Sequence, residues 1–99
     1  MDGVNELFNK LDELMQVMIS SLPEDRVLIY RQVDPLFLRL EVELKKSPNG
    51  YAEKKLLELK YHTGIIARLD DPDGDDDNQH HAKAKRAAAD LCGPKGLGS

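Results

Sequence analysis

Six aspartates and two adjacent histidines fall within LDDPDGDDDNQHH, residues 69–81, a dense run of potential metal ligands and proton carriers. Calcium is the first chemistry to test. A calcium-binding helix–loop–helix wants oxygen ligands at loop positions 1, 3 and 5, glycine at 6 and glutamate at 12. With Gly74 at position 6, Asp73 and Asp71 fill positions 5 and 3, but position 1 is Leu69 and position 12 is His80. The register fails at both ends. Zinc fares no better. His80 and His81 are neighbours whose side chains diverge on a helix, and Cys92 does not complete a zinc spacing with them. No metal-ligand set is therefore predicted. The stretch reads as a Pro72-Asp73-Gly74 turn, with Asp75, Asp76 and Asp77 supplying negative charge to the start of a basic helix. A metal-responsive module using the aspartates of 70–77 stands as the alternative.

Catalytic constellations are equally sparse. Cys92 is a single cysteine near the chain end. Ser20, Ser21 and Ser47 sit at predicted caps or turns, which accounts for them without nucleophilic work. His62 reads as a half-exposed helix residue beside Tyr61. Glu41 and Glu43 point apart on a helix. The glycines are scattered, with no GxxxxGK[ST] phosphate loop. A chain of 99 residues also has little volume for an enclosed pocket. The expectation is a protein that is not an enzyme and uses no cofactor.

Charge narrows the partners. The net charge is −4, spread unevenly: residues 1–66 carry nine bases and eleven acids, 67–77 one base and six acids, and 78–99 four bases and one acid. That is not the broad basic field nucleic acid requires, and five aromatics without tryptophan make a poor base-stacking platform. No apolar run approaches the roughly 20 residues of a spanning helix. The acidic, amphipathic MDGVNELFNK is unlike a signal peptide. These features predict no nucleic-acid and no membrane partner, and an intracellular protein, cytoplasmic or nuclear.

The elements that must carry any site follow from apolar spacing. Val4, Phe8, Leu11, Met15, Met18 and Leu22 recur at fours and threes, widened by Leu7, Leu14 and Ile19, which predicts a helix over about residues 3–20. Asp2 is its expected cap. In SSLPEDR, Ser21 and Glu24 have capping-box spacing and Pro23 suits a first helical turn. Tyr30, Val33, Phe37, Leu40 and Leu44, with Val27 ahead, predict a second helix. Asp34-Pro35 leaves two forms open: one kinked helix over about 23–46, or a new helix at Pro35. Ser47-Pro48-Asn49-Gly50 is a turn. A third helix over about 51–69 uses Ala52, Leu56, Leu59, Thr63 and Ile66, flanked by Leu57, Ile65 and Leu69. Gly64 inside it suggests close approach of a neighbouring helix. A fourth, QHHAKAKRAAADL, offers only Leu91 as a large apolar residue.

The predicted fold is therefore all-α: a small antiparallel bundle of three main helices plus a short, weakly docked C-terminal helix. The divisions are 1–69 helical core, 70–78 acidic linker, 79–91 short basic helix and 92–99 flexible tail. Leu38 to Lys45 alternate apolar and charged residues, as do Leu57, Leu59 and Tyr61. An α+β form with a hairpin at 36–44/55–63 is thus the alternative, disfavoured because Leu, Glu and Lys prefer helix.

The second helix has more apolar surface than one core stripe uses. Leu28, Leu36, Leu38 and Val42 lie partly off the Tyr30–Leu44 line and are the predicted partner-binding residues, because contiguous exposed apolar patches mark interaction sites. The expected function is a non-catalytic protein–protein interaction module: an adaptor, regulatory or assembly subunit that binds a protein partner or itself as a homodimer.

Two resemblances point the same way. LDELMQVMISSLP and EVELKKSPNGYAEKKLLEL resemble the layout of KIX domains, which implies a coactivator-like groove for amphipathic helices. ARLDDPDGDDDNQHHAKAKRAA resembles the joint between the last two helices of BAG domains, which implies a co-chaperone-like surface for a heat-shock chaperone's nucleotide-binding domain.

Overall fold

Four helices follow one another: α1 over Asp2–Ile19, α2 over Pro23–Lys46, α3 over Gly50–Ile66 and α4 over Asp77–Cys92. They are taken from a computed structural model that describes residues 2–46, 48–71 and 74–96, with backbone alone for 2–4. The all-α class is as the sequence predicts. The alternative hairpin is overturned, because 36–44 and 55–63 both lie inside helices and no strand occurs among the described residues. The three-and-four spacing of Phe37, Leu40 and Leu44, and of Leu56, Leu59 and Thr63, buries a continuous face that a strand would split between two sides. Of the two forms open for the second element, one unbroken helix is found, with Pro35 inside it. Pro35 and Arg31 are both on the exposed side. The carbonyl that loses its helical donor to proline therefore faces water, where solvent serves it.

The helix ends explain where the elements stop. Ser20 and Ser21 donate their hydroxyls back to the α1 carbonyls of Gln16 and Val17, at 3.0 and 2.6 Å. Ser21 thus closes α1, and the expected Ser21–Glu24 capping box is corrected. Pro23 does open α2, where its missing N–H costs little. Asn49 caps α3, its side-chain oxygen accepting from the Tyr51 and Ala52 amides at 3.0 and 3.2 Å. α4 opens with a full capping box: Asp76 accepts from the Gln79 amide at 2.8 Å, and the Asp76 amide donates to Gln79 Oε1 at 2.7 Å. α3 closes with paired bonds from the Leu69 amide to the Gly64 carbonyl and from the Arg68 amide to the Ile65 carbonyl, both 3.0 Å. That is the motif in which glycine usually takes the left-handed position. Here Arg68 takes it, at φ 64°. The helix also ends at Ile66, earlier than expected, so Leu69 is half exposed beyond it.

The core draws on every helix. Leu11, Met15 and Met18 of α1 meet Val33, Phe37 and Leu40 of α2, and Ala52, Leu56, Leu59 and Ile66 of α3. Leu22 and Val27, expected to extend the stripes, are 62% and 43% exposed. Leu22 lies in the joint before α2 and Val27 on its exposed side, and Arg26 takes the inward place.

α4 departs most from expectation. It is longer than 79–91 and packs chiefly on α3, burying His80, Ala84, Ala87 and Leu91. The scarcity of large apolar residues predicts loose docking. Alanines instead let the two helices approach closely, so a small-residue face docks without bulk. Gly64 is not the reason for that approach: a methyl there would meet only the Asp70 carboxylate, at 3.0 Å. Beyond α4, residues 93–96 form a turn whose Lys95 carbonyl accepts from Asn49 at 2.6 Å. Of the expected tail, 97–99 lie outside the described residues, as do Ser47 of the Ser47–Gly50 turn and Pro72 and Asp73 of the Pro72–Gly74 turn.

Candidate interaction surface

Helix α2 divides cleanly into two faces. Arg26, Val33, Phe37, Leu40 and Leu44 are buried. On the far side Leu28, Leu38 and Val42 are 58%, 61% and 53% exposed. Leu36, the fourth predicted partner-binding residue, sits elsewhere: it is half buried and packs against the core. The structure thus places three of the four together on an open face and turns the other inward. The outward line continues as Glu24, Leu28, Arg31, Pro35, Leu38, Val42 and Lys45, all exposed and spaced alternately by four and three. An alternation of this kind is the seam spacing of helices that pack side by side.

Grooves lie between the helices. One of about 360 Å³ lies between α2 and α3, lined by Leu44, Leu56 and Leu57 with Glu41, Lys45 and Lys60 on its rims. Lys60 bridges it to Glu41 at 2.9 Å. Another, about 490 Å³, lies between α1 and α4 over Phe8, Leu11 and Met15. Cys92 donates to Asn5 at one edge of it, 3.1 Å away.

The aspartate segment does structural work at the joint. Arg26 is buried and donates to the Ile66 carbonyl at 2.9 Å, to Ile19 at 3.2 Å, to Ser21 at 3.3 Å and to Asp77 at 2.9 Å. One guanidinium on α2 therefore closes the C-terminal ends of α1 and α3 and grips the first turn of α4. Arg68 joins it at Asp77, 2.9 Å away. Partial burial works against the Asp77 charge, but the hydrogen bonds from Arg26 and Arg68 and their positive charges prevail, so its carboxyl is held below the usual carboxylate range. Asp75 pairs with Lys83, and Asp76 is the cap already described. Among the described residues, no group of three or more His, Cys, Asp or Glu is arranged to hold a metal ion.

The adjacent histidines do diverge, each to its own helix. His81 meets Asp12 of α1 at 2.6 Å. His80 is fully buried against α3, its Nδ1 2.9 Å from Nδ1 of His62, with Tyr61 set edge-on to both rings. At that distance one nitrogen must donate and the other accept, so the pair holds a single proton between the rings. Sequence spacing gave no sign of this pair, which forms across eighteen residues. Arg26 was missed as well. Its one signal is position: a cation at the place where the apolar stripe of α2 would otherwise continue toward Val27.

Pointing outward alone does not name a partner, and resemblance adds nothing further: no protein-family model, no curated protein and no solved structure matches this chain, so the KIX-like and BAG-like stretches carry no assignment.

Proposed function

We propose that this chain is a non-catalytic protein–protein interaction module, an adaptor or assembly subunit, that docks through the outward face of α2. One observation supports this most. Leu28, Leu38 and Val42 are each more than half exposed along a helix whose other face is the core. Large apolar side chains grouped in water mark surfaces that a partner covers. Helix-on-helix docking is the recognition mode that a seam of this spacing serves.

The test is Leu38→Glu with Val42→Glu. Far-UV circular dichroism should keep its helical signal, because neither side chain contributes to the buried core. Association, read as solution mass for self-binding and as co-purification of a defined partner from the parent cell, should be lost. A double variant that unfolds would place those residues in the core and end the proposal.

A further inference from the structure

The outward seam of α2 also carries a charge order that selects its occupant. Its N-terminal end presents Glu24 and its C-terminal end presents Lys45 and Lys46, all exposed. Between them lie Leu28, Arg31, Pro35, Leu38 and Val42. The helix has 24 residues, about 36 Å at helical rise. The seam residues from Glu24 to Lys45 are all exposed along α2.

Resting on the docking face proposed above, we infer that its occupant is a second copy of this chain, with the two α2 helices antiparallel about a two-fold axis near Pro35. Leu28 and Val42 are seven residues from Pro35 on either side, so each Leu28 meets the Val42 of the other copy. Glu24 and Lys46 are eleven residues from it on either side, so each acidic end meets a basic end. A parallel pair would instead set Glu24 against Glu24 and lysine against lysine, and like charges held opposite one another oppose association. The two-fold makes the interface self-complementary, as closed dimers require.

An acidic start and a basic end also suit the dipole of an isolated helix. The test must separate that effect from pairing, and mixing two variants does so. Glu24→Lys sets lysine against Lys45 and Lys46 of its partner. Lys45→Glu with Lys46→Glu sets those glutamates against Glu24. Each variant alone should associate roughly tenfold or more weakly than the natural chain. Mixed in equal amounts, they restore both end contacts, and a dimer of one copy of each should return. A dipole effect acts within one chain and cannot be rescued by another.

Sedimentation velocity at about 100 μM, where complexes of micromolar Kd are well populated, reads all four samples, with circular dichroism to confirm helicity. A monomeric natural chain overturns the inference. So does a mixture that stays monomeric, or variants that dimerise as the natural chain does. The fate of the underlying docking face is separate. Dimerisation abolished by Leu38→Glu with Val42→Glu but untouched by the charge variants keeps the face and discards the antiparallel pairing. Dimerisation untouched by the apolar change discards the face as well.

Discussion

Arg26→Ala tests whether four helices are fastened at one side chain. The guanidinium is 5% exposed and sits 2.9 Å from Asp77. Removing one member of a buried pair costs about 3–5 kcal/mol, because the remaining charge loses its partner. Asp77 keeps Arg68, also at 2.9 Å, which argues for the lower end of that range. The Ile66 carbonyl, bonded to Arg26 at 2.9 Å in a buried setting, is stranded by the change. A stranded group costs about 1–3 kcal/mol, but the two losses share one side chain and do not simply add. The expected destabilisation is about 3 kcal/mol. For a domain of this size each kcal/mol moves the midpoint by about 4–8 °C, so Tm should fall by about 12–24 °C. Urea and thermal unfolding followed by circular dichroism at one pH measure both quantities. Arg26→Lys keeps the charge but loses the planar fork that reaches several acceptors at once, so it should fall between the two. An Arg26→Ala chain within about 1 kcal/mol of the natural one would refute the reasoning. It would mean the joint is held by core packing, with the arginine contacts incidental.

Two further predictions follow from neighbouring features. The Asp77 carboxyl is held below its usual range in the folded protein. Its contribution is therefore present above the unfolded value near 4 and lost as pH falls through the lower folded value. Urea midpoints of the natural chain and Asp77→Asn should differ at neutral pH and converge in acid; parallel curves would show that the carboxylate contributes nothing. Ala84 is fully buried where α4 lies on α3. Ala84→Leu should destabilise by about 1–3 kcal/mol through overpacking, and a neutral or stabilising result in urea unfolding would show α4 to be as loosely held as its composition suggests.

Periodicity made most of the fold legible. The α1 and α3 stripes, and the α2 stripe from Val33 to Leu44, need only their three-and-four spacing to find the core. The ends were harder. Ser21 faces either back to Val17 or forward to Glu24, and sequence spacing does not say which helix it serves. The docking of α4 was illegible for a different reason. Hydrophobic bookkeeping counts large side chains, whereas Ala84 and Ala87 act by letting backbones come close. Long-range polar contacts left the least trace. His62 with His80, and Arg26 with the Ile66 carbonyl, join residues whose separation in the chain carries no period. Subtraction from the α2 core stripe picks out Leu28, Leu38 and Val42, which are exposed, together with Leu36, which is half buried against the core.

The contrast between helices gives the α2 seam its weight. On α1 the exposed positions include Asn9, Lys10, Glu13 and Gln16, with Val17 as the one large apolar residue exposed there among those whose side chains are described. On α4 they are Asn78, Gln79, Lys83, Lys85 and Arg86 with small alanines. Large apolar exposure is instead concentrated on α2, with Leu28, Leu38 and Val42, and on α3, with Leu57, Tyr51 and Tyr61. All three on α2 lie off its inner face, whose side chains supply the core contacts, and Arg26 supplies the joint. The two roles of α2 are thus separable by substitution. Charges placed at 38 and 42 should remove association and leave unchanged the unfolding of the monomer, measured at concentrations where the natural chain is also dissociated. Arg26→Ala should lower stability while the seam keeps its spacing. A chain in which both changes moved both properties together would have one face serving one purpose, and the outward leucines would belong to the fold after all.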